Sequence, residues 1–399
     1  MKEVGSVFSE VVMLPTRIAL LALLLSFSLG AQTPQLVQSL PEGTGLEQKD
    51  LPFAKDVWPE MIRGAKHSLD MAEFYVANTP GGYLEPVLQE MEKAGARGVK
   101  VRIMLSALLL NEDQPSVARL RAIPGAELRV FDFGPGKRGI LHAKYFIVDG
   151  EEAYVGSQNL DWRSLQHIHE TGLRFRTPSL VAPLREIFKI DWAFCQTHKL
   201  PTLPKGEAST LRPGLELVAS PPSLTPSSIR AALPALQEIL GQAKHRIRVQ
   251  LLTYSPVSVK TRFWPALDNA LRAAAVRGVA VQLLVSDWNL ASPAVDHLKS
   301  LTLIPNVEVR IATIPESPKG HIPFARVVHS KYMTVDGSLL WVGTSNWSED
   351  YFMDSRNVEI ILRDASLAAQ GDRIFERLWN SPFAARLDPA KTYVPRARE

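Results

Sequence analysis

Residues 142–159 read HAKYFIVDGEEAYVGSQN, and residues 329–346 read HSKYMTVDGSLLWVGTSN. Both fit one template: His, any residue, Lys, four residues, Asp, six residues, Gly, Ser or Thr, any residue, Asn. At residue frequencies of roughly 5%, six fixed positions coincide on the order of 10⁻⁸ times per start site. Two occurrences in one chain are therefore a duplication.

The duplication reaches beyond the motif. AKHSLDMAEFY (65–75) answers AKHRIRVQLLTY (243–254), ARGVKVRIMLS (96–106) answers VRGVAVQLLVS (276–286), and IPGAELRV (123–130) answers IPNVEVRI (304–311). The offset grows from 178 (65 to 243) through 180 (96 to 276) and 181 (123 to 304) to 187 (142 to 329), as loop insertions would give. A period this long means two whole domains, not a solenoid. In each copy, short β-rich runs such as VKVRIML and HRIRVQLLTY read as buried strands. Between them, Leu84, Leu88 and Met91 in the first copy and Leu267 and Leu271 in the second mark helix faces that end at Arg-Gly. Strand–helix alternation predicts an α/β fold, with sheets covered by helices.

The expected organisation is a signal peptide at 1–31, a polar linker at 32–50 and a first domain at 51–197. A Pro/Ser-rich connector at 198–228, a second domain at 229–385 and a tail at 386–399 follow. The signal rests on IALLALLLSFSLGA (18–31), a 14-residue apolar stretch after Arg17. A membrane span needs about 20, whereas an exported h-region is shorter. Glu3 and Glu10 sit badly in such a leader, and starting at Met13 gives MLPTR as a basic n-region. An uncleaved anchor is the alternative reading. Export to a periplasm or the medium is the expected location.

Composition is that of a globular protein: 46% hydrophobic, 22% charged, net charge +4. This permits an anionic partner without implying a histone-like one. Cys195 is the single cysteine, so no internal disulfide forms, and it reads as a buried hydrophobe. No His/Cys/carboxylate spacing suggests a metal site, and no cofactor is expected.

Within each motif copy, Asp-Gly predicts a tight hairpin turn. His142 and Lys144 then share a strand face, as do His329 and Lys331. The return strands end at Gly156-Ser157 and Gly343-Thr344, followed by Asn159 and Asn346. Imidazole can attack phosphorus or move protons, while lysine, asparagine and hydroxyl groups hold non-bridging oxygens. Gly156 and Gly343 allow close backbone approach, and Asp149 and Asp336 read as structural. One hairpin lacks a separate acid for the leaving group. Two hairpins related by a pseudo-two-fold supply nucleophile and acid at a shared interface.

The doubled motif resembles that of the phospholipase D superfamily, over about residues 50–385. GSQNLDWRSL, RFWPALDNALR and IPFARVVHSKYM followed by VGTSNWSEDYF are similar to the endolysosomal phospholipase D-like 5′-exonuclease branch. The resemblance implies two tandem α-β-α sandwich domains with the active site between them. It implies a covalent phosphohistidine, an acid from the second histidine, and no metal. His142 is assigned as nucleophile and His329 as acid. It also implies a glutamate past each motif that orients the histidine, here Glu170 and Glu359. A lone cysteine and an export signal set this chain apart from membrane-anchored, disulfide-bonded animal members of that branch.

Single-stranded nucleic acid is the leading substrate expectation, with phospholipid headgroups as the rival and a non-catalytic phosphate binder as a third class. Tyr254, Phe263, Trp264, Trp288, Trp347, Tyr351 and Phe352 are candidate stacking rings, with Trp347 chosen as a substrate contact beside Ser157 and Thr344. Arg163, Arg174 and Arg176 are candidate phosphate contacts, and His167 and His169 candidate cleft residues. LSALLL (105–110) is the one weak apolar rim for a lipid, better read as a strand running into a helix.

Overall fold

The computed structural model describes Met1 and residues 33–395, apart from 135, 137, 201, 204–213 and 259–261. The expected signal stretch, beyond Met1, lies outside the described residues. Thr33–Glu399 is one compact unit.

Each copy of the repeat builds a mixed sheet. Among the described residues, the first sheet orders its strands Gln35–Ser39, Glu170–Phe175, Glu152–Gly156, Tyr145–Val148, Ser68–Glu73, Lys100–Ser106 and Glu127–Phe131. The last three run parallel, and the others pair antiparallel. The second sheet repeats this order with Leu215–Ser220, Asn357–Leu362, Leu339–Gly343, Tyr332–Val335, Arg246–Leu251, Ala280–Ser286 and Val307–Ala312. It adds Arg230–Ala231 at one edge and Ala384–Arg386 at the other.

Strands are buried on both faces because helices cover both. In KVRIMLS (100–106), Val101, Ile103 and Leu105 join the outer core, which Val57, Trp58, Leu88 and Met91 of helices Ala54–Arg63 and Glu85–Ala96 help to fill. Met104 points the other way, into a core that both halves share. There Tyr145, Phe175 and Phe188 meet Leu217, Ile360, Phe375 and Trp379 around helices Pro178–Thr197 and Ala365–Trp379. Each such side chain contributes about 1.5–3 kcal/mol on burial, so the halves are not independent lobes. Among the described residues no helix is long and apolar enough to cross a membrane.

Three boundary expectations are corrected. The stretch 32–50 is not a linker, because Gln35–Ser39 is the edge strand of the first sheet, paired with Glu170–Phe175. Its QLVQS lacks an apolar alternation, yet Gln38 is buried with its amide donating to the carbonyls of Gln48 and Leu51. The connector 198–228 contains the equivalent strand, Leu215–Ser220, so its prolines flank regular structure rather than forbid it. The tail also starts later than 386, since Arg386 pairs with Arg310 and Leu387 is buried in the second half's core.

One ion pair ties the halves together beneath the sheets. Arg356 and Asp191 are both 0% exposed, with Arg356 Nε and Nη2 donating to Asp191 Oδ1 at 3.0 and 2.8 Å. The guanidinium also donates to the carbonyls of Ser220 and Leu224. Removing one member strands a buried charge. Asp191→Ala should therefore cost about 3–5 kcal/mol in chemical denaturation, and adding Arg356→Met should recover a large part of it. An Asp191→Ala protein as stable as the native one would show the pair to be idle.

Candidate active site

The two hairpins turn through left-handed residues, Asp149 (φ 53°) with Gly150 (φ 69°) and Asp336 (φ 53°) with Gly337 (φ 63°). This is the backbone that Asp-Gly supplies at low cost. The Asp149 carboxylate accepts the N–H groups of Lys66, His67 and Ser68, and Asp336 those of Lys244, His245 and Arg246. Both aspartates thus clamp the hairpin to the neighbouring strand's start and stay out of the chemistry. At the other end a Cβ on Gly156 would lie 2.9 Å from Gly172 Cα, and one on Gly343 would lie 2.8 Å from the Trp341 ring. Only glycine fits there.

His142 and Lys144 precede the strand Tyr145–Val148, in an extended segment that crosses to the other half. The N–H groups of His142 and Ala143 donate to Arg356 O, each at 2.9 Å. The second motif repeats this, with His329 and Ser330 donating to His169 O at 2.9 and 3.0 Å. Each histidine then meets a side chain from the opposite half. His329 Nδ1 lies 3.1 Å from Glu170 Oε2, and His142 Nδ1 lies 3.1 Å from Asn357 Oδ1.

Glu359 is therefore corrected. It is buried against Trp341, whose indole N–H donates to its Oε2 at 2.7 Å, and it does not meet a histidine. Asn357 holds the place instead. The repeat offset of 187 maps His142 onto His329 and Glu170 onto Asn357, a signal present in the sequence.

The partners differ in a way that sorts the histidines. Asn357 Nδ2 donates to the carbonyls of Tyr351 and Ser355, and its Oδ1 accepts from Thr344 Oγ1. With the amide so oriented, Oδ1 must accept from His142, which fixes Nδ1–H and leaves Nε2 with a free lone pair. His329 faces Glu170, and ionisation of that carboxyl favours its imidazolium form. Burial holds both rings below the ordinary histidine range, with the Lys144 and Lys331 charges adding to it. Burial pushes Glu170 up to about 8, against the Lys331 charge and the hydroxyls of Ser157 and Ser164.

Both lysines are buried, and each Nζ donates to the carbonyl of its own histidine. Burial lowers Lys331 to about 7 and holds Lys144 well below its usual range. His142, His329, Asn159 and Asn346 line one cavity of 710 Å³ between the halves. Its wall also carries Phe74, Tyr75, Trp162, Trp288, Phe324 and Tyr351. Among the described residues no group of three or more His, Cys, Asp or Glu could hold a metal ion.

The remaining expectations divide. Ser157 and Thr344 are fully buried behind the cavity, where they support Glu170 and Asn357 and do not face a substrate. Trp347, expected as a substrate contact, is 1% exposed and packs on Tyr254 and Trp341 in the second half's core. Phe352 and Tyr254 are core residues too, and Phe263 stacks on His297 away from the cavity lining. Of the seven candidate rings, Trp288 and Tyr351 reach the cavity, while Phe74, Tyr75, Trp162 and Phe324 were missed. Arg163 lines it as well, whereas Arg174 and Arg176 pair with Glu152. His167 and His169 are buried, and His169 acts through its backbone carbonyl. Residues 105–110 run from strand into the short helix Ala107–Leu109, and Cys195 is buried.

A protein-family profile described as "Cardiolipin synthase, PLD-like domain" matches residues 59–192 and 236–379, once in each half. The chain belongs to this PLD-like family. Its relatives include "Phospholipase D Z" of Dictyostelium discoideum, 35% identical over 90% of this chain and 91% of that one. Another is "5'-3' exonuclease PLD3" of Bos taurus, 33% identical over 91% of this chain and 82% of that one. Among solved structures, phosphatidylserine synthase of Haemophilus influenzae Rd KW20 shares the fold at 13% identity, with TM-score 0.61 over 84% of this chain and 85% of that one. The PLD-like chain is accordingly a hydrolase of phosphoric diester bonds.

The asymmetric partners predict opposite shifts in this PLD-like site. Glu170→Gln removes the charge that favours the imidazolium, so the pKa of His329 should fall by roughly one pH unit or more. Asn357→Asp adds such a charge, so that of His142 should rise by a similar amount. Histidine-selective NMR titration checks both signs.

Proposed function

We propose that this PLD-like phosphodiesterase is a 5′-exonuclease on single-stranded nucleic acid, with His142 as nucleophile and His329 as general acid. The observation that carries this reading is the crossed pair: two histidines from different halves, each with Nδ1 tied back, face one cavity. The His142 Nε2 lone pair attacks phosphorus, and the bond to the leaving strand's oxygen breaks. His329 gives that oxygen its proton. Water then attacks the phosphohistidine, His329 takes a proton from it, and His142 leaves as the neutral ring. Asn159 and Asn346, in the cavity lining, hold non-bridging oxygens, and Lys144 and Lys331 supply positive charge as negative charge develops.

The substrate class draws support from the aromatic wall, since base stacking contributes about 1–3 kcal/mol per base without reading sequence. It also draws on the relatives named as 5'-3' exonucleases. A phospholipid headgroup diester is the second reading, favoured by the relative named "Phospholipase D Z".

Purified protein should hydrolyse bis(p-nitrophenyl) phosphate in EDTA, because the steps above are carried by side chains. His142→Ala should lose at least about 10³-fold in kcat, as removal of a nucleophile does. Full activity in that variant would remove His142 from the mechanism. The substrate is decided by incubating the protein side by side with end-labelled oligonucleotides and with phosphatidylcholine vesicles. Stepwise loss from the 5′ end is expected, and lipid turnover without oligonucleotide loss would sink the nucleic-acid reading.

A further inference from the structure

One part of the cavity wall is built at the expense of backbone comfort. Trp288 and Phe324 meet edge to face there, with ring centroids 6.5 Å apart and planes at 78°, forming an L-shaped notch. Beside it, Ile168, Leu252 and Val327 form a small buried cluster of their own, on which Trp288 and Ala325 pack. Phe324 is nevertheless 44% exposed. It stands five residues before His329 on the segment that delivers that histidine.

The backbone at Phe324 is left-handed (φ 58°), as is that at Arg326 (φ 55°). A bulky residue in that region is an outlier that persists only where its surroundings enforce it. Here they do. Arg326 N–H donates to His167 O at 2.9 Å, and its guanidinium donates to Pro315 O at 2.7 Å and Glu42 O at 2.8 Å. Arg163 Nη1 donates to Pro323 O at 3.2 Å. The segment is thus strapped from both halves. An exposed ring on a strained backbone adds little to folding, and glycine would sit there without strain. The arrangement is explained by something outside the fold that meets the ring.

We infer that the Trp288–Phe324 notch is a base-binding subsite, stacking the nucleobase next to the scissile diester on the His329 side. This rests on the nucleic-acid reading above. Because His329 protonates the departing oxygen, the base held there belongs to the first nucleotide of the leaving strand. A flat heterocycle can stack on one ring while its edge meets the face of the other. An acyl chain needs a continuous apolar channel, and this cavity carries Asn78, Glu112 and Asp113 elsewhere on its wall. Stacking on two aromatic faces also reads no sequence.

The test compares kcat/KM for two oligonucleotides that differ only in having a base or an abasic residue at that nucleotide. The native protein should prefer the base-bearing strand by about tenfold, the size of one stacking contact. Phe324→Ala and Trp288→Ala should bring the ratio near one. Phe324→Tyr should keep it, and Phe324→Leu, apolar but not flat, should lose it. The ratio is internal to each variant, so partial loss of folded protein cancels. A native ratio near one, or a tenfold ratio that survives Phe324→Ala, overturns the subsite. Failure of the native protein to cleave either strand brings down the nucleic-acid reading itself, a distinct result.

Discussion

The site depends on a backbone exchange between the halves. Arg356 O takes the N–H groups that begin the first motif, and His169 O takes those that begin the second. Each acceptor lies one residue before the side chain that meets the other half's histidine, Asn357 and Glu170 respectively. The same contact therefore docks a half and aims an imidazole. Neither copy can build its histidine's environment alone, which is the physical reason that the motif occurs twice.

Duplication gave the site symmetry, and substitution then broke it where chemistry requires a difference. Glu170 and Asn357 occupy equivalent places yet offer a charge to one ring and a dipole to the other. A second difference lies one strand away. Glu73 is buried beside Lys144, whose charge acts on it, while Leu251 holds the matching register in the second sheet. Two identical halves would give two histidines with the same proton affinity. A nucleophile and an acid must differ in protonation state, and unequal partners bias which ring holds the proton.

Charge explains why the site is suited to a diester. Two lysines and two histidines are withdrawn from water, and burial disfavours the charged form of each. The carboxylates within reach, Glu73 and Glu170, are themselves raised by burial and do not balance them fully. A phosphate held among these groups supplies the missing negative charge and favours their protonated forms. Ligand and protonation state are coupled by burial together with the charges of the two lysines.

Much of this was written in the sequence. Two copies of one motif identify the α/β duplication, the family and the four central residues, because a spacing of identities survives any arrangement in space. Locally stabilised features were legible too, such as the Asp-Gly turns at 149 and 336 and the close approach at Gly156 and Gly343. The strands Gln35–Ser39 and Leu215–Ser220 were not, since a buried glutamine or a flanking proline looks like a loop until its hydrogen-bond partner is in place. Tertiary structure decided what distance in sequence hides. It buried Trp347, exposed Phe324, and gave each histidine a partner from the opposite half, because side-chain contacts form across the seam rather than along the chain.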